Sequence, residues 1–265
     1  MILNIGVFQY KIRDETPFKK IQRLEDHLKK NTTLDLIVCP ELFLSGYGSY
    51  KKIKEFSEVK DGEYSFKISV LAKKYATAIL YGYPEIEKES LFNSAQLFNS
   101  KGQSLINHRK KLLPPTAKES TIFNRGNNDS VINFKGVKTA IVICYELEFP
   151  ELIRRAALGG VKLIIAPTAQ SSHWPAAARH ISRSRAFENG IFVVYANFVG
   201  KLNNIDFMGE SKIIGPDGLD IVNSGKQEEV IVGEIDTSKI QLIRKKLPYL
   251  NDSKIHKKEF LLGSK

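Results

Sequence analysis

Three groups of different chemistry sit just beyond short apolar runs of the chain. The carboxylate of Glu41 follows Leu34–Cys39, the ammonium of Lys110 follows a run containing Leu105 and Ile106, and the thiol of Cys144 follows Thr139–Ile143. In open α/β sheets the crevice beyond the strand ends is where ligands bind, so three such ends can pool their side chains in one pocket. The combination suits amide hydrolysis. An amide carbon is a poor electrophile and needs a strong nucleophile, which a deprotonated cysteine supplies. A nearby ammonium stabilises the thiolate and the oxyanion that follows it. A carboxylate can take the thiol proton, pass it to departing ammonia and later activate water, and burial raises its pKa toward the range that suits both roles.

Each residue also has a plain structural reading. Glu41 after Pro40 could be a strand-end surface carboxylate. Lys110 could be one of many surface lysines, with Lys111 beside it the relevant one, and Cys144 could be a small core residue. Spacing alone leaves these open. The other cysteine, Cys39, lies inside an apolar strand and reads as core.

The elements that must position these groups alternate between strand-like and helix-like stretches. Ile2–Tyr10 reads as a strand. Thr16 can cap a helix with Pro17 at its first position, and Phe18, Ile21, Leu24 and Leu28 then form one stripe at helical spacing. A helix over Ser65–Tyr75 leads to a strand at Ala78–Gly82. Leu91–Phe98 and Ser104–His108 form a hairpin around Asn99–Gly102, whose Asn and Gly suit a turn. Val131–Phe134 and Lys138–Ile143 pair around Lys135–Gly136. Helices at Pro150–Leu158 and Pro175–Asn189 alternate with strands at Lys162–Ala166 and Ile191–Asn197. A β-rich tail follows, with strands near Phe207–Ile214 and Val230–Ile235 and a turn at Gly215–Gly218. Interleaved βα units and hairpins predict an α/β fold, a mixed sheet covered by helices in one domain.

Composition narrows the function classes. The 265 residues are 42% hydrophobic and 26% charged, an ordinary globular balance. No apolar run reaches the roughly 18 residues that span a bilayer, so no membrane partner is expected. Met1–Tyr10 lacks a basic leader pattern, which predicts a cytoplasmic protein. Two cysteines without a Cys-x-x-Cys pair argue against a disulfide framework or a thiolate zinc site. The net charge of +11 is scattered in short tracts such as Lys51-Lys52, without an aromatic-interleaved stripe, so nucleic acid is not expected either.

The local sequences resemble the nitrilase superfamily of carbon–nitrogen hydrolases, on its amidase-like branch. Cys39-Pro40-Glu41-Leu42-Phe43-Leu44-Ser45-Gly46-Tyr47 looks like the family's catalytic Glu segment. His108-Arg109-Lys110-Lys111-Leu112-Leu113-Pro114 is similar to its Tyr-Arg-Lys-x-His-Leu-Pro segment, which selects Lys110 over Lys111. Val142–Glu151 resembles the nucleophile segment, and Glu119–Gly126 the segment with a second active-site Glu. Ser184–Asn189, Ala196-Asn197, Gly209-Glu210-Ser211 and Gly215–Gly218 match further signatures, so the likeness runs to about Leu250. His108 and Leu112 depart from a frequent Tyr and His, and Ile122-Phe123 stands where Tyr-Phe is common.

The resemblance implies an αββα sandwich, four layers with two mixed sheets covered by helices, as one hydrolase domain over residues 1–265. It implies Cys144 as nucleophile, Glu41 as base and acid, Lys110 as oxyanion cation, the Tyr145 N–H as second oxyanion donor and Glu119 as support for Lys110 or the substrate. It implies no metal and no organic cofactor. It also implies a homodimer or larger homo-oligomer, with contacts near Glu151–Leu158, Ala176–Asn189 and a tail over 237–265. Tyr47, Glu148, His173 and Trp174 are candidates to line the substrate pocket, and Glu146 reads as a partner of nearby backbone or arginines. The substrate implied is a small aliphatic or amino-acid carboxamide. N-carbamoyl hydrolysis and keto-acid ω-amide hydrolysis are alternatives, as is a metabolite-binding protein without turnover.

Overall fold

The computed structural model describes residues 1–115 and 119–255. The first half of the chain supplies β1 (Ile2–Gln9), α1 (Pro17–Lys30), β2 (Leu36–Val38), α2 (Tyr50–Glu55), α3 (Glu63–Lys74), β3 (Ala78–Glu87), β4 (Ser90–Phe98) and β5 (Ser104–Arg109). The second half supplies β6 (Ser130–Phe134), β7 (Val137–Ile141), α4 (Pro150–Leu158), β8 (Leu163–Pro167), α5 (Ser182–Asn189) and β9 (Phe192–Ala196). A small hairpin, β10 (Val199–Leu202) and β11 (Ile205–Met208), stands apart. The chain ends through β12 (Lys212–Ile214), β13 (Asp220–Asn223), β14 (Glu229–Asp236), α6 (Ser238–Lys246) and α7 (Tyr249–Ile255).

Two six-stranded sheets result, ordered β14-β1-β2-β3-β4-β5 and β13-β12-β9-β8-β7-β6. Both are mixed. β1, β2 and β3 run parallel, as do β7, β8 and β9, and antiparallel strands flank each trio. Strand alternation then builds the layers. Leu3, Ile5 and Val7 of β1 face Leu163, Ile165 and Val194 of the other sheet in a core between the sheets. Phe8 and Tyr10 face the opposite way and pack with Ile21, Leu24 and Leu28 of α1 and with Ile68 of α3. Ile164 and Val193 pack under Ile153 of α4 and Ala186 of α5. The order helix, sheet, sheet, helix is the four-layer sandwich expected.

Local chemistry explains the elements that carry the site. The Thr16 side chain caps α1 by accepting from the Lys19 N–H, with Pro17 at the first turn. Ile21, Leu24 and Leu28 are buried, each stabilising by about 1.5–3 kcal/mol. In the β4–β5 hairpin the Asn99 side chain accepts from the N–H groups of Lys101 and Gln103, and Gly102 takes the left-handed conformation.

Several expectations are corrected. Phe18 does not join the buried stripe; it is 43% exposed and meets Tyr64 edge-on. The strand expected over Phe207–Ile214 is two strands in different sheets. Gly209 and Glu210 both have positive φ and turn the chain between them. The helix expected over Pro175–Asn189 forms, but a π-turn at Ala177–Ile181 interrupts it before α5. The tail is not only β, since it continues into α6 and α7. Its residues 256–265 lie outside the described residues.

Lys20 of α1 is fully buried and donates from Nζ to the Leu44 carbonyl at 2.9 Å, under the loop that follows Glu41. Burial pushes its pKa down to about 7, against the small upward pull of Glu15. The unfolded chain keeps this proton to about pH 10.4. The unfolded state therefore binds more protons between pH 7 and that value, and stability rises with pH across the window. Replacing Lys20→Met removes the linkage. Denaturant unfolding at pH 7 and pH 9 should show a smaller rise in stability for the variant than for the parent chain; an equal rise would contradict the buried-lysine account.

Candidate active site

The three strand ends do converge. Glu41 follows β2, Lys110 follows β5 and Cys144 follows β7, so the first sheet contributes two groups and the second contributes one. Two glycines let the backbone come close enough. A Cβ on Gly82 of β3 would lie 2.4 Å from the Leu42 nitrogen and 2.6 Å from the Pro40 oxygen, so only glycine lets the Glu41 turn rest on that strand. A Cβ on Gly126 would lie 2.1 Å from the Arg109 oxygen, beside the Lys110 segment. The Gly126 N–H donates to the Lys110 carbonyl at 2.9 Å.

Lys110 is the centre of the arrangement. Its Nζ donates to Glu41 Oε1 at 2.6 Å and to Glu119 Oε1 at 2.8 Å, and all three side chains are buried. Burial alone would lower the Lys110 pKa, but the charges of Glu41 and Glu119 outweigh it and hold the ammonium protonated far into the alkaline range. Glu41 is shifted upward. Burial is the main cause and the charge of Glu119 adds to it, against the pull of Lys110 and of Asn93. One Glu41 oxygen is saturated by Lys110 and by Asn93 Nδ2, at 2.7 Å. The other, Oε2, is buried without a partner among the described residues and is free to take a proton.

Cys144 opens a 3₁₀ turn, Cys144–Glu148, with a φ of 47°. A non-glycine residue in that region is strained, and strain of this kind collects where a side chain must be presented at a sharp angle. Leu42, next to Glu41, shares the conformation. Cys144 is partly exposed, unlike Cys39, which is sealed in the core as expected. Burial and the charge of Glu41 push the Cys144 thiol well above its ordinary pKa, while Lys110 and an N–H donated by Ala169 pull the other way. The resting group is thus a thiol.

The turn is braced from beneath by Glu146. One carboxylate oxygen accepts from the Ile143 N–H at 2.6 Å and meets His108 Nε2 at 2.7 Å; the other accepts from the Lys111 N–H at 2.9 Å. His108 Nδ1 in turn meets the Ser130 hydroxyl at 2.9 Å. Burial pushes the Glu146 carboxyl up, but His108 and the two backbone N–H groups outweigh it and hold the carboxylate ionised. Glu146 therefore ties the lysine segment to the nucleophile turn through backbone and a histidine, with no arginine involved.

The remaining candidates divide. Tyr47 donates to Glu119 Oε1 at 2.5 Å and stands, with Ile53, Ile122 and Phe123, around a cavity of about 580 Å³ that reaches Glu119. Tyr145 is partly buried and meets Phe149 edge-on. Glu148 is partly buried near Lys110, whose charge lowers its pKa against a larger rise from burial. His173 and Trp174 are exposed on the loop after β8, Trp174 by 63%. A second cavity, of about 240 Å³, lies behind the brace, lined by His108, Glu146 and Arg155 rather than by Cys144. Among the described residues no group of three or more His, Cys, Asp or Glu could hold a metal ion, and no helix is long and apolar enough to cross a membrane.

Residue-by-residue reading missed Asn93, whose amide reaches both Glu41 and Glu119. The available signal was the run Asn93, Ser94 and Gln96, all buried polar residues in an otherwise apolar strand. It also missed Thr168, whose carbonyl accepts from the Glu41 N–H at 3.3 Å and links the two sheets beside the site.

A family profile described as carbon–nitrogen hydrolase matches residues 4–245. The chain is 36% identical over 253 residues to the Pseudomonas protegens "Hydrolase in pqqF 5'region", covering 94% of this chain and 88% of that one. It is 27% identical to the 2-oxoglutaramate amidase of Bacillus subtilis, covering 94% and 96%. Among solved structures it superposes on Saccharomyces cerevisiae Nit3 with a TM-score of 0.85 at 25% identity, covering 93% and 94%. It also superposes on the amidase of Nesterenkonia sp. AN1 with a TM-score of 0.80 at 24% identity, covering 97% and 96%.

The brace yields a test. Glu146→Ala leaves two backbone donors and His108 unpaired in the interior, and should lower stability by about 3–5 kcal/mol. Chemical denaturation followed by fluorescence measures it; a loss under about 1 kcal/mol would show the brace to be incidental.

Proposed function

The chain belongs to the carbon–nitrogen hydrolase family, and from that premise we propose that it is an amidase that converts a small carboxamide to the acid and ammonia through a thioester on Cys144. Glu41 takes the Cys144 proton as the sulfur attacks the amide carbon. The oxyanion that forms is stabilised by the Lys110 ammonium and by the N–H of Tyr145. That N–H sits at the start of a short 3₁₀ turn, where backbone donors lack intrahelical acceptors. Glu41 then protonates the departing nitrogen, ammonia leaves, and the same carboxylate activates the water that cleaves the thioester and restores the thiol.

The single observation that carries this reading is the buried contact of Lys110 with Glu41 and Glu119, near enough to a partly exposed cysteine for their charges to act on one another. A surface lysine or a core cysteine would need none of it. Tyr47 and Glu119 then form one wall of the substrate pocket, with Glu119 also holding Lys110 in place. Keto-acid ω-amides are the second substrate class to consider, because the Bacillus subtilis relative is named for one. The same reading makes the chain one hydrolase domain, acting in the cytoplasm as a homodimer that meets through α4, α5 and the tail.

The test is ammonia release from a panel of short amides. The parent chain should release ammonia, Cys144→Ala should release none, and rapid acid quench should trap an acyl mass increment on Cys144. An increment on Cys39, or equal release by the variant, would overturn the assignment. The pH profile has a definite sign. The base must be ionised, so kcat/KM should fall on the acid side at a pH above the ordinary carboxylate range, because burial raises the Glu41 pKa. The thiol titrates far on the alkaline side, so no second limb should appear near neutrality.

A further inference from the structure

Three carboxylates stand near Lys110, and only two of them are bonded to it. Glu41 and Glu119 each accept from Nζ. The third, Glu148, ends the nucleophile turn. Its side chain is partly buried and has no hydrogen-bond or ion-pair partner among the described residues. The two cations that lie near it are already engaged. Lys110 holds the other carboxylates, and Arg185 donates to the Leu147 and Glu148 carbonyls and to Glu188. A second polar group in the same place is also unpaired. The Tyr195 hydroxyl at the end of β9 is 2% exposed and makes no hydrogen bond of normal geometry. It lies close enough to Cys144, Glu148 and Glu41 for their negative charges to raise its pKa, although burial is the larger cause.

A half-buried carboxylate whose oxygens still reach solvent is open to a cationic ligand, and a buried hydroxyl without a partner is costly. Both groups gain a partner if the acyl part of the substrate brings donors. An uncharged alkyl amide would leave Glu148 unpaired, and an anionic one would meet it as a like charge. An ammonium group supplies several N–H donors and the opposite charge.

We propose that Glu148, with the Tyr195 hydroxyl, selects carboxamides that carry an ammonium group close to the amide carbon, as amino-acid amides do. The inference rests on the amidase reading and narrows its substrate class. Glu148 is the specificity-determining residue, and Tyr195 supplies an oxygen that accepts from the same ammonium.

The experiment compares kcat/KM for L-alaninamide, D-alaninamide and β-alaninamide with that for the uncharged isobutyramide and the anionic succinamate, in the parent chain and in Glu148→Gln. The parent should favour at least one ammonium amide over isobutyramide by about tenfold or more, with succinamate poorest, and in Glu148→Gln that ratio should shrink to within a few-fold. An unchanged ratio, or a parent chain that favours the uncharged or the anionic amide, overturns the inference while leaving the amidase reading intact. Turnover of none of the five would count against the amidase reading. Calorimetric binding of the same compounds to Cys144→Ala, with and without Glu148→Gln, then decides the Glu148 question separately. Tighter binding of an ammonium compound that is lost with the glutamate supports it; equal or absent binding overturns it.

Discussion

A single ammonium held between two carboxylates in the interior is the constraint to which the rest of this molecule answers. Removing one charge from water is expensive, and removing three is tolerable only when they neutralise one another at hydrogen-bond distance. Lys110 meets Glu41 and Glu119 on those terms, and no member of the trio can be moved without stranding the others. Two carboxylates against one ammonium leave an excess of negative charge. That excess keeps Lys110 protonated, while burial, with the charge of Glu119 adding to it, raises the affinity of Glu41 for a proton against the pull of Lys110. The burial that makes the cluster awkward is also what leaves Glu41 ready to hold a proton.

Backbone geometry delivers the partners. β2 and β5 run in the same direction in one sheet, so Glu41 and Lys110, placed just past their ends, meet without any loop having to search for the other. The remaining adjustment is local and sterically demanding. Gly82 and Gly126 remove the side chains that would hold the Glu41 and Lys110 segments apart. Cys144 adopts a backbone conformation that side chains normally avoid. Glu146 holds that turn by accepting from the backbone of Ile143 just before it and of Lys111 in the lysine segment. The chain thus spends rigidity at three points around the cluster, in keeping with a site whose charges tolerate little displacement.

Much of this could be read from the residues. The apolar runs ending at Glu41, Lys110 and Cys144, the capping Thr16 and the Asn99–Gly102 turn carry local signals of burial period and turn chemistry, and each element appears where those signals put it. What could not be read depends on distant neighbours. Asn93 looks like any strand polar residue until β3 and β4 place it under Glu41. Phe18 has the right spacing for the buried stripe of α1, yet its ring stays exposed on one side and rests against Tyr64. The stretch over Phe207–Ile214 has strand composition throughout. Only the left-handed pair Gly209-Glu210 reveals that it serves two sheets, and glutamate gives little warning of that conformation. The histidine that replaces a frequent Tyr at position 108 had no evident purpose in the sequence, because its partner Glu146 lies 38 positions away.

The raised pKa of Cys144 has a consequence for how the protein fares between turnovers. Peroxide and haloacetamide reagents react with thiolates and scarcely with thiols. On the proposed mechanism, a nucleophile that keeps its proton until a carbonyl is seated beside Glu41 presents little to electrophiles that merely diffuse past. Dormancy of the sulfur in the vacant enzyme is a form of chemical selectivity, set by the same burial that makes the base strong.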